Sequence, residues 1–424
     1  MRVCVVGSGA REHALAHVLS RSADVVVTPG NPGISGTSVE GHTITSSPAP
    51  AAEIDADLVV VGPEAPLVAG LADELRAAGR AVLGPGAAGA RLEGSKAFMK
   101  QLAARAGVPS ARFGTFTRLD EARAFLAALP GPYVVKTDGL AAGKGVLVTE
   151  DLGEAVADVA AKLSGAAFGA AGQRVVLEEG LSGPELSLLV LCDGTRALPL
   201  PAAQDAKRLG DGDTGPNTGG MGAFSPVPEA TDEVVGAIMA QIVEPSLAEL
   251  RRLGIDYRGV LYAGCMLTGE GPKLIEYNVR FGDPEAEVVL PRLEGDVASL
   301  LHGAATGTLA DAVRVSRDAA LCVVLASAGY PNATRAGEVI TGIERAGTVE
   351  GVTVYHAGTD RDADGILRSA SGRVLALSAL APSLRLARAR AYAAAAEIDL
   401  AGVQYRRDIA ERAARDEPGA REER

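Results

Sequence analysis

The sequence predicts a multidomain protein of the α/β and α+β classes that begins with a doubly wound parallel sheet and ends with a small β-rich domain. Over residues 1–98, short apolar runs alternate with segments of helical periodicity, which is typical of a parallel sheet with helices on both faces. Ser95 is then predicted to cap a helix of about residues 96–106. Strand-like runs around one helix follow, and a new β-rich unit begins near residue 319. We therefore expect domains at residues 1–98, 99–310 and 311–424.

The composition excludes several classes of protein. The chain has 424 residues, enough for two to four domains of about 150 residues each. With 41 Lys and Arg against 53 Asp and Glu, the net charge of −12 argues against a protein that coats nucleic acid. No apolar stretch reaches the ~18 residues of a membrane helix, and the cysteines form no C-x-x-C pair. We expect a cytoplasmic monomer whose partners are small molecules, with no nucleic acid and no membrane.

The first candidate site follows the first predicted strand, residues 2–6. Residues 7–12 (GSGARE) connect this strand to a helix predicted over about 11–20, and a helix N-terminus in this setting binds anions. The dinucleotide fingerprint has a third glycine where this chain has Glu12, so a phosphate or sugar-phosphate site is favoured over an NAD site. A tight structural turn is the alternative.

The other predicted strands of this sheet also end in glycine and proline; they are residues 24–28, 58–61 and 81–83. In doubly wound sheets the ligand lies beyond the carboxyl ends of the strands. The loops at residues 29–33 and 62–64 are therefore predicted to border the same ligand.

A glycine-rich loop with a lysine is the second candidate site. Residues 138–146 (DGLAAGKGV) lie between two predicted strands, so that backbone amides can approach a polyphosphate while Lys144 supplies charge. No Ser or Thr follows the lysine, which excludes a Walker A loop. Lys136 lies in an apolar strand, where a buried ammonium needs an anionic partner. A solvated Lys144 is the alternative.

Acidic residues end the apolar run at residues 175–177. Glu178 and Glu179 follow it directly, and Glu185 comes a few residues later. These carboxylates are predicted to surround a nucleoside, whereas the alternative is that they are solvated.

A long polar, glycine-rich segment covers residues 204–222. Its glycines allow backbone conformations that other residues rarely adopt, and its Asp, Thr and Asn residues offer hydrogen-bond donors and acceptors. We interpret it as a loop that wraps a small polar substrate, with a disordered linker as the alternative.

The strand predicted at residues 273–278 carries the sharpest pattern. Alternation places Glu276, Asn278 and Arg280 on one face, and Ile275, Tyr277 and Val279 on the other. A carboxylate and an amide oxygen two residues apart suit Mg²⁺, and the arginine suits a carboxylate or a transferring phosphate. A plain polar strand face is the alternative.

Together these features resemble the ATP-grasp superfamily, in which two α+β units clamp ATP and a strand acid and amide hold magnesium. A closer resemblance is to the phosphoribosylamine–glycine ligase family. It extends from residue 1 to about 408 and is carried by residues 9–15 (GAREHAL), 62–67 (GPEAPL), 92–96 (LEGSK), 138–146, 211–222 and 280–285 (RFGDPE).

The resemblance implies an ATP-grasp fold at residues 99–310, with a mobile lid at about 112–182. It also implies a reaction in de novo purine synthesis, in which glycine is activated by ATP as a glycyl phosphate and joined to 5-phosphoribosylamine. The expected cofactors are ATP and Mg²⁺, with Mn²⁺ as an alternative ion.

The resemblance also implies roles for individual residues. Contacts with ATP are implied at Lys96, Lys136, Gly139, Gly143, Lys144, Gly145, Glu178, Glu179 and Glu185. Magnesium ligands are implied at Glu276 and Asn278, and catalytic roles at Arg280, Asp213 and Lys144. Substrate contacts are implied at Gly9, Arg11, Glu12, Gly30, Asn31, Pro63, Glu64, Lys207, Asp213, Asn217, Thr218, Gly219 and Arg280.

Three other functions remain open on the sequence. Another ATP-grasp amine–carboxylate ligase would share the ATP and magnesium residues, but not the loops at residues 9–14 and 62–67. A dinucleotide oxidoreductase would have glycine or alanine in place of Glu12. A catalytically inactive nucleotide-binding module would lack the pair of Glu276 and Asn278.

Overall fold

The computed structural model describes residues 1–34, 38–39, 41–140, 145–165 and 173–417. It confirms the predicted fold class, because a parallel sheet is followed by a larger α+β unit and a β-rich C-terminal unit. In the described residues, no helix is both long and apolar enough to cross a membrane. All four cysteines are buried free thiols.

The N-terminal unit is a six-stranded sheet flanked by helices. Its elements are β1 (Arg2–Gly7), α1 (Ala10–Leu19), β2 (Asp24–Pro29), β3 (Ser38–Val39), β4 (His42–Ser46), β5 (Leu58–Val61), α2 (Glu64–Val68), α3 (Leu71–Ala77) and β6 (Val82–Leu83). The strand order is β3-β4-β2-β1-β5-β6, and only β3 runs antiparallel to its neighbour. The helical segment after β5 is broken at Gly70, whose φ of 95° lies in the left-handed region that favours glycine.

A second unit follows, formed by a four-stranded antiparallel sheet and two helices. Its elements, with the helices that lead to it, are α4 (Ala87–Gly94), α5 (Lys96–Arg105), β7 (Phe113–Phe116), α6 (Leu119–Ala127), β8 (Tyr133–Thr137), β9 (Val146–Thr149), α7 (Leu152–Leu163) and β10 (Val175–Glu179). The predicted cap of α5 is confirmed, since Ser95 Oγ accepts a hydrogen bond from Phe98 N at 3.1 Å. The unit has a small hydrophobic core of its own. That core suits a separately moving lid, although its motion remains a prediction.

The central unit is built on a second antiparallel sheet with the strand order β12-β11-β17-β18. Its elements are β11 (Glu185–Asp193), β12 (Ala197–Pro199), β13 (Gln204–Asp205), β14 (Arg208–Gly210), β15 (Thr214–Asn217), β16 (Gly222–Ser225), α8 (Asp232–Ile238), α9 (Glu244–Arg252), β17 (Arg258–Thr268), β18 (Gly271–Asn278), α10 (Ala286–Val289), β19 (Leu293–Glu294) and α11 (Val297–Thr306). A π-helical turn at Met239–Val243 joins α8 to α9. The segment predicted as a loop at residues 204–222 contains the short hairpin β14–β15.

The C-terminal unit is a sheet to which the central segment contributes two strands. Its own elements are β20 (Arg314–Val315), β21 (Ala319–Ala326), β22 (Ile340–Thr341), α12 (Ile343–Gly347), β23 (Val352–His356), β24 (Thr359–Arg361), β25 (Leu367–Ser369), β26 (Arg373–Ala381), α13 (Leu384–Ala396), β27 (Asp399–Leu400) and α14 (Glu411–Asp416). The five strands of the main sheet are ordered β13-β16-β21-β26-β23. The domain boundaries at residues 98 and 310 stay predictions, but this sheet joins residues from both sides of the second one.

Glu287 on α10 carries a buried carboxyl group that has no hydrogen-bond partner among the described residues. Its side chain is fully buried. Burial raises the pKa of Glu287 well above its ordinary value, and the nearby Asp283 carboxylate raises it further. Burial in the folded protein therefore favours the protonated form of this carboxyl group.

We expect Glu287→Gln to stabilise the protein at alkaline pH. Because the pKa is higher in the folded state, the stability due to the protonated carboxyl is complete below about pH 4.3 and is lost as the pH rises. The variant should gain roughly 1 kcal/mol at pH 8 and much less at pH 5, measured as the difference in melting temperature from the wild type. The exposed Glu294→Gln is the control, and a gain that does not depend on pH would contradict this assignment.

Candidate active site

The crevice at the topological switch point of the N-terminal sheet is filled by Glu12. Strand β1 has β2 on one side and β5 on the other, so the loops after β1 and β5 meet there. A Cβ added to Gly62 would lie 2.1 Å from Glu12 Oε1, and one added to Gly7 would lie 2.6 Å from Glu12 Cδ. The glycines therefore make room for this carboxylate, in the place where a dinucleotide site would have its pyrophosphate.

Glu12 and its neighbour Arg11 are both buried and bonded within the protein. Glu12 Oε2 accepts from Gly9 N at 2.6 Å, and Glu12 Oε1 accepts from Arg11 Nε at 2.6 Å. Arg11 also donates to the Phe281 carbonyl, which fastens the loop to the central unit. These contacts give both side chains a structural role, and their predicted substrate contacts stay predictions.

A buried ion triad holds Lys136. Glu178 lies between two ammonium groups, with Lys100 Nζ at 2.6 Å from Oε2 and Lys136 Nζ at 2.7 Å from Oε1. Burial alone would raise the pKa of Glu178, but the charges of Lys136 and Lys100 outweigh it and hold the pKa below its usual value. Lys136 thus has the anionic partner that its apolar strand requires, and the partner is Glu178.

The triad changes the interpretation of two residues. Sequence reasoning predicted that Glu178 contacts the nucleoside, whereas its carboxylate faces two lysines and is only 4% exposed. It also missed Lys100, which is fully buried and whose pKa burial lowers to about 8 against the opposing charge of Glu178. The only sequence signal for Lys100 is its position one turn after Lys96 on α5.

Lys96 lies at the entrance to the glycine-rich loop. Its ammonium donates to the Gly139 carbonyl at 3.0 Å, and the preceding cap residue Ser95 donates to Asp138 Oδ1 at 2.9 Å. The predicted ATP contacts Gly143 and Lys144 lie outside the described residues. Gly145 is described, and its carbonyl accepts from Thr137 N at 2.9 Å.

The predicted magnesium ligands lie on the polar face of β18. A bulge opposite β17 inserts Ile275 as an extra residue, so Leu274 joins Tyr277 and Val279 in the core. The prediction that Ile275 shares their face is wrong for this reason. Glu276 and Asn278 keep the predicted orientation, away from the core.

Glu276 is surrounded by cations. Lys207 Nζ lies 3.9 Å from Glu276 Oε1 and 2.7 Å from Glu185 Oε2. Burial would raise the pKa of Glu276, but Lys207, Lys136 and Lys96 lower it below its ordinary value. The carboxylate is therefore ionised at neutral pH, as a metal ligand must be.

Arg280 is held between two carboxylates at the end of β18. Its guanidinium lies 2.7 Å from Glu93 Oε1 and 3.2 Å from Glu64 Oε2, and it donates to Asn278 Oδ1 at 3.2 Å. Glu93 also accepts from Val279 N at 2.8 Å. The structure thus brings the predicted residues Arg280, Glu64 and Asn278 together, and adds Glu93, which sequence reasoning included in a motif without assigning it a role.

Asp213 lies apart from this cluster. It stands between β14 and β15 with a φ of 54°, and its side chain is 74% exposed. Arg406 from the C-terminal unit lies 2.6 Å from its carboxylate. These contacts give no support to the predicted catalytic role, which stays a prediction.

A cleft of about 520 Å³ separates the N-terminal sheet from the C-terminal unit. The predicted residues Gly9, Gly30 and Asn31 line one wall, but Pro63 and Glu64 do not. The other wall was not predicted; it is formed by Asp283, Tyr330, residues 357–360 and residues 370–373. Among these residues only Asp283 belongs to a motif noted in the sequence, residues 280–285.

Comparison with known proteins supports the order of the units along the chain. Models of the phosphoribosylglycinamide synthetase N domain, ATP-grasp (A) domain and C domain match residues 1–93, 94–286 and 320–412. The phosphoribosylamine–glycine ligase of Brucella melitensis is 48% identical and is matched over 97% of this chain and 98% of its own. That of Streptomyces coelicolor is 49% identical, over 98% of this chain and 100% of its own. The crystal structure of the Thermotoga maritima ligase is similar with a TM-score of 0.83 at 33% identity, covering 96% of this chain and 100% of that one.

The fold and the clustered lysines and acids define an ATP-grasp enzyme that joins a carboxylate to an amine. The matches extend over all three units at close to half identity. The chain belongs to the phosphoribosylamine–glycine ligase family.

We expect Glu178→Gln to destabilise the protein and weaken its binding of ATP. The change leaves two buried ammonium groups around an uncharged amide, which costs about 3 kcal/mol when one partner of a buried pair is removed. Thermal unfolding without nucleotide and ATP titration would measure both effects. Glu121→Gln is the control, because Glu121 is exposed on α6 of the same unit and has no assigned contact with ATP. Equal behaviour of the two variants would rule out the triad as a support for Lys136.

Proposed function

We propose that this chain joins glycine to 5-phosphoribosylamine at the expense of ATP, giving glycinamide ribonucleotide, ADP and phosphate in de novo purine biosynthesis. The observation that carries the proposal is the arrangement around Glu276. Lys207 lies 3.9 Å from this carboxylate, the charges of Lys207, Lys136 and Lys96 lower its pKa, and Arg280 donates a hydrogen bond to the neighbouring Asn278. Family membership over the whole chain supports the choice of substrates.

The reaction has two steps. A carboxylate oxygen of glycine attacks the γ-phosphorus of ATP, and ADP leaves, giving glycyl phosphate. The amine of phosphoribosylamine then attacks the carbonyl carbon, phosphate leaves, and the nitrogen loses a proton. Because water would hydrolyse the acyl phosphate, the site must close during the reaction, and the separate core of the unit around β8 suits such a closing lid.

The ammonium groups of Lys96 and Lys136 are assigned to the ATP phosphates, together with Lys144. Lys136 is held by the buried Glu178, and Lys96 stands beside the Gly139 carbonyl. Fixed cations of this kind stabilise charge that shifts during phosphoryl transfer. Arg280 and the loop at residues 213–220 are assigned to the glycine carboxylate and the acyl phosphate.

The donor set on β18 fits magnesium. Glu276 and Asn278 offer two hard oxygen ligands, and Mg²⁺ commonly takes one or two protein ligands together with water and phosphate oxygens. No cluster of three or more acidic, His or Cys ligands occurs in the described part of the chain, which suits a metal held jointly with a nucleotide. When bound, the ion supplies positive charge to the phosphates. Mn²⁺ would find the same ligands.

The cleft between the N-terminal sheet and the C-terminal unit is assigned to phosphoribosylamine. Asn31 at its edge is fixed by three hydrogen bonds, to Ser8 O at 2.8 Å, His356 O at 3.0 Å and Gly33 N at 3.0 Å. Arg373 supplies a cation for the sugar phosphate. We propose that the protein is a monomer that works in the cytoplasm.

The substrates can be identified by ADP release. We expect release in the presence of ATP, Mg²⁺, glycine and phosphoribosylamine generated in place from ribose 5-phosphate and ammonia. Omission of glycine or of ribose 5-phosphate should abolish it, and alanine or serine should not replace glycine. Turnover with another acid or amine would contradict the substrate assignment and leave an ATP-grasp ligase of different specificity.

We expect Glu276→Gln to lower kcat by about 10³-fold, since it removes the charged metal ligand beside the phosphates. The melting temperature should change little, because Glu276 lies on the open face of β18. The Mg²⁺ concentration for half-maximal rate should rise, which a purely structural role would not produce. Full activity of the variant would refute the magnesium assignment.

A further inference from the structure

The backbone of Gly219 is held from the C-terminal unit by two side chains. Its N–H donates to Tyr330 Oη at 2.9 Å, and its carbonyl accepts from Arg373 Nη1 at 2.6 Å. Both side chains also line the cleft assigned to phosphoribosylamine. The wall of the cleft therefore fixes the orientation of one peptide in the glycine-rich segment.

The side chain of Arg373 is itself held in place, so it can fix the position of Gly219. Its Nη1 donates to the Asp283 carbonyl at 2.8 Å and lies 3.1 Å from Asp283 Oδ1. The contact with Gly219 is close, because a Cβ added there would lie 3.1 Å from Arg373 Cζ and 3.3 Å from Tyr330 Oη. At the next residue, a Cβ on Gly220 would lie 2.4 Å from Pro284 Cδ. The space around Gly219 and Gly220 therefore has room for the backbone but not for a side chain.

Hydrogen bonds continue from Gly219 to the predicted metal ligand. The preceding residue, Thr218, donates to the Lys207 carbonyl through both its N–H, at 2.8 Å, and its Oγ1, at 2.9 Å. The ammonium of Lys207 in turn lies between Glu185 and Glu276. A shift of Gly219 would therefore move the cation that faces Glu276.

We propose that Arg373 and Tyr330 are positioning residues for glycine activation, acting from the wall of the sugar cleft through Gly219. They set the place of Thr218 and Lys207 beside Glu276. This inference rests on the proposed function. It gives this wall of the cleft two roles: the wall binds the sugar phosphate, and its side chains Arg373 and Tyr330 also hold the loop assigned to glycine.

The test is a set of KM and kcat values for glycine and for phosphoribosylamine, each measured with the other substrates saturating. Tyr330→Phe removes one hydroxyl, and we expect the KM for glycine to rise about 10-fold. Arg373→Met removes a charged donor, and we expect a rise of about 100-fold, with Arg373→Lys partly restoring the wild-type value. Melting temperatures identify any variant that fails to fold, in which case Tyr330→Phe and Arg373→Lys carry the test.

Asp360→Asn is the matched control. Asp360 lines the same cleft, but its carboxylate accepts from Arg361 N and has no part in holding Gly219. This variant should alter only the KM for phosphoribosylamine. If Tyr330→Phe and Arg373→Met behave in the same way, with the KM for glycine unchanged, the proposal is wrong. A wild-type enzyme that does not ligate glycine would instead refute the proposed function.

Discussion

The burial of one carboxylate between two ammonium groups is the interaction on which the rest of the site depends. Glu178 joins Lys100 of α5 to Lys136 of β8, and so connects the helix after the N-terminal sheet to the separate four-stranded unit. Lys136 Nζ also lies 3.4 Å from the carbonyl of Ile275, the extra residue of the bulge in β18. One ionic contact thus sets the position of Lys136, which is proposed to bind phosphate, relative to the strand of the predicted magnesium ligands.

The same principle recurs through the site: each charge removed from water faces the opposite charge. Arg280 has Glu64 and Glu93, and Lys100 and Lys136 share Glu178. An unpaired ion in such surroundings would cost several kcal/mol, so the pairs keep the groups ionised and fixed before any substrate arrives. Glu287 shows the contrast, because its carboxyl oxygens have no hydrogen-bond partner among the described residues and burial raises its pKa.

The sequence could predict what local periodicity encodes. Alternation located β18 and the outward direction of Glu276 and Asn278, and a capping serine located the start of α5. It could not predict the bulge at Ile275, which depends on the facing strand, nor the partner of Lys136, which lies far along the chain. The second wall of the cleft could not be predicted for the same reason. Arg373 belongs to no motif, and only the pairing of distant strands brings it to Gly219.

The long-range contacts of this wall of the cleft depend on the pairing of β16 with β21. The two short strands that flank the glycine-rich hairpin, β13 and β16, belong to the C-terminal sheet and not to the sheet that carries the metal ligands. Both ends of the hairpin are therefore built into the unit that forms the far wall of the cleft. Arg406 strengthens this attachment at the tip through Asp213. The C-terminal unit therefore supports both the cleft assigned to the sugar phosphate and the loop assigned to glycine.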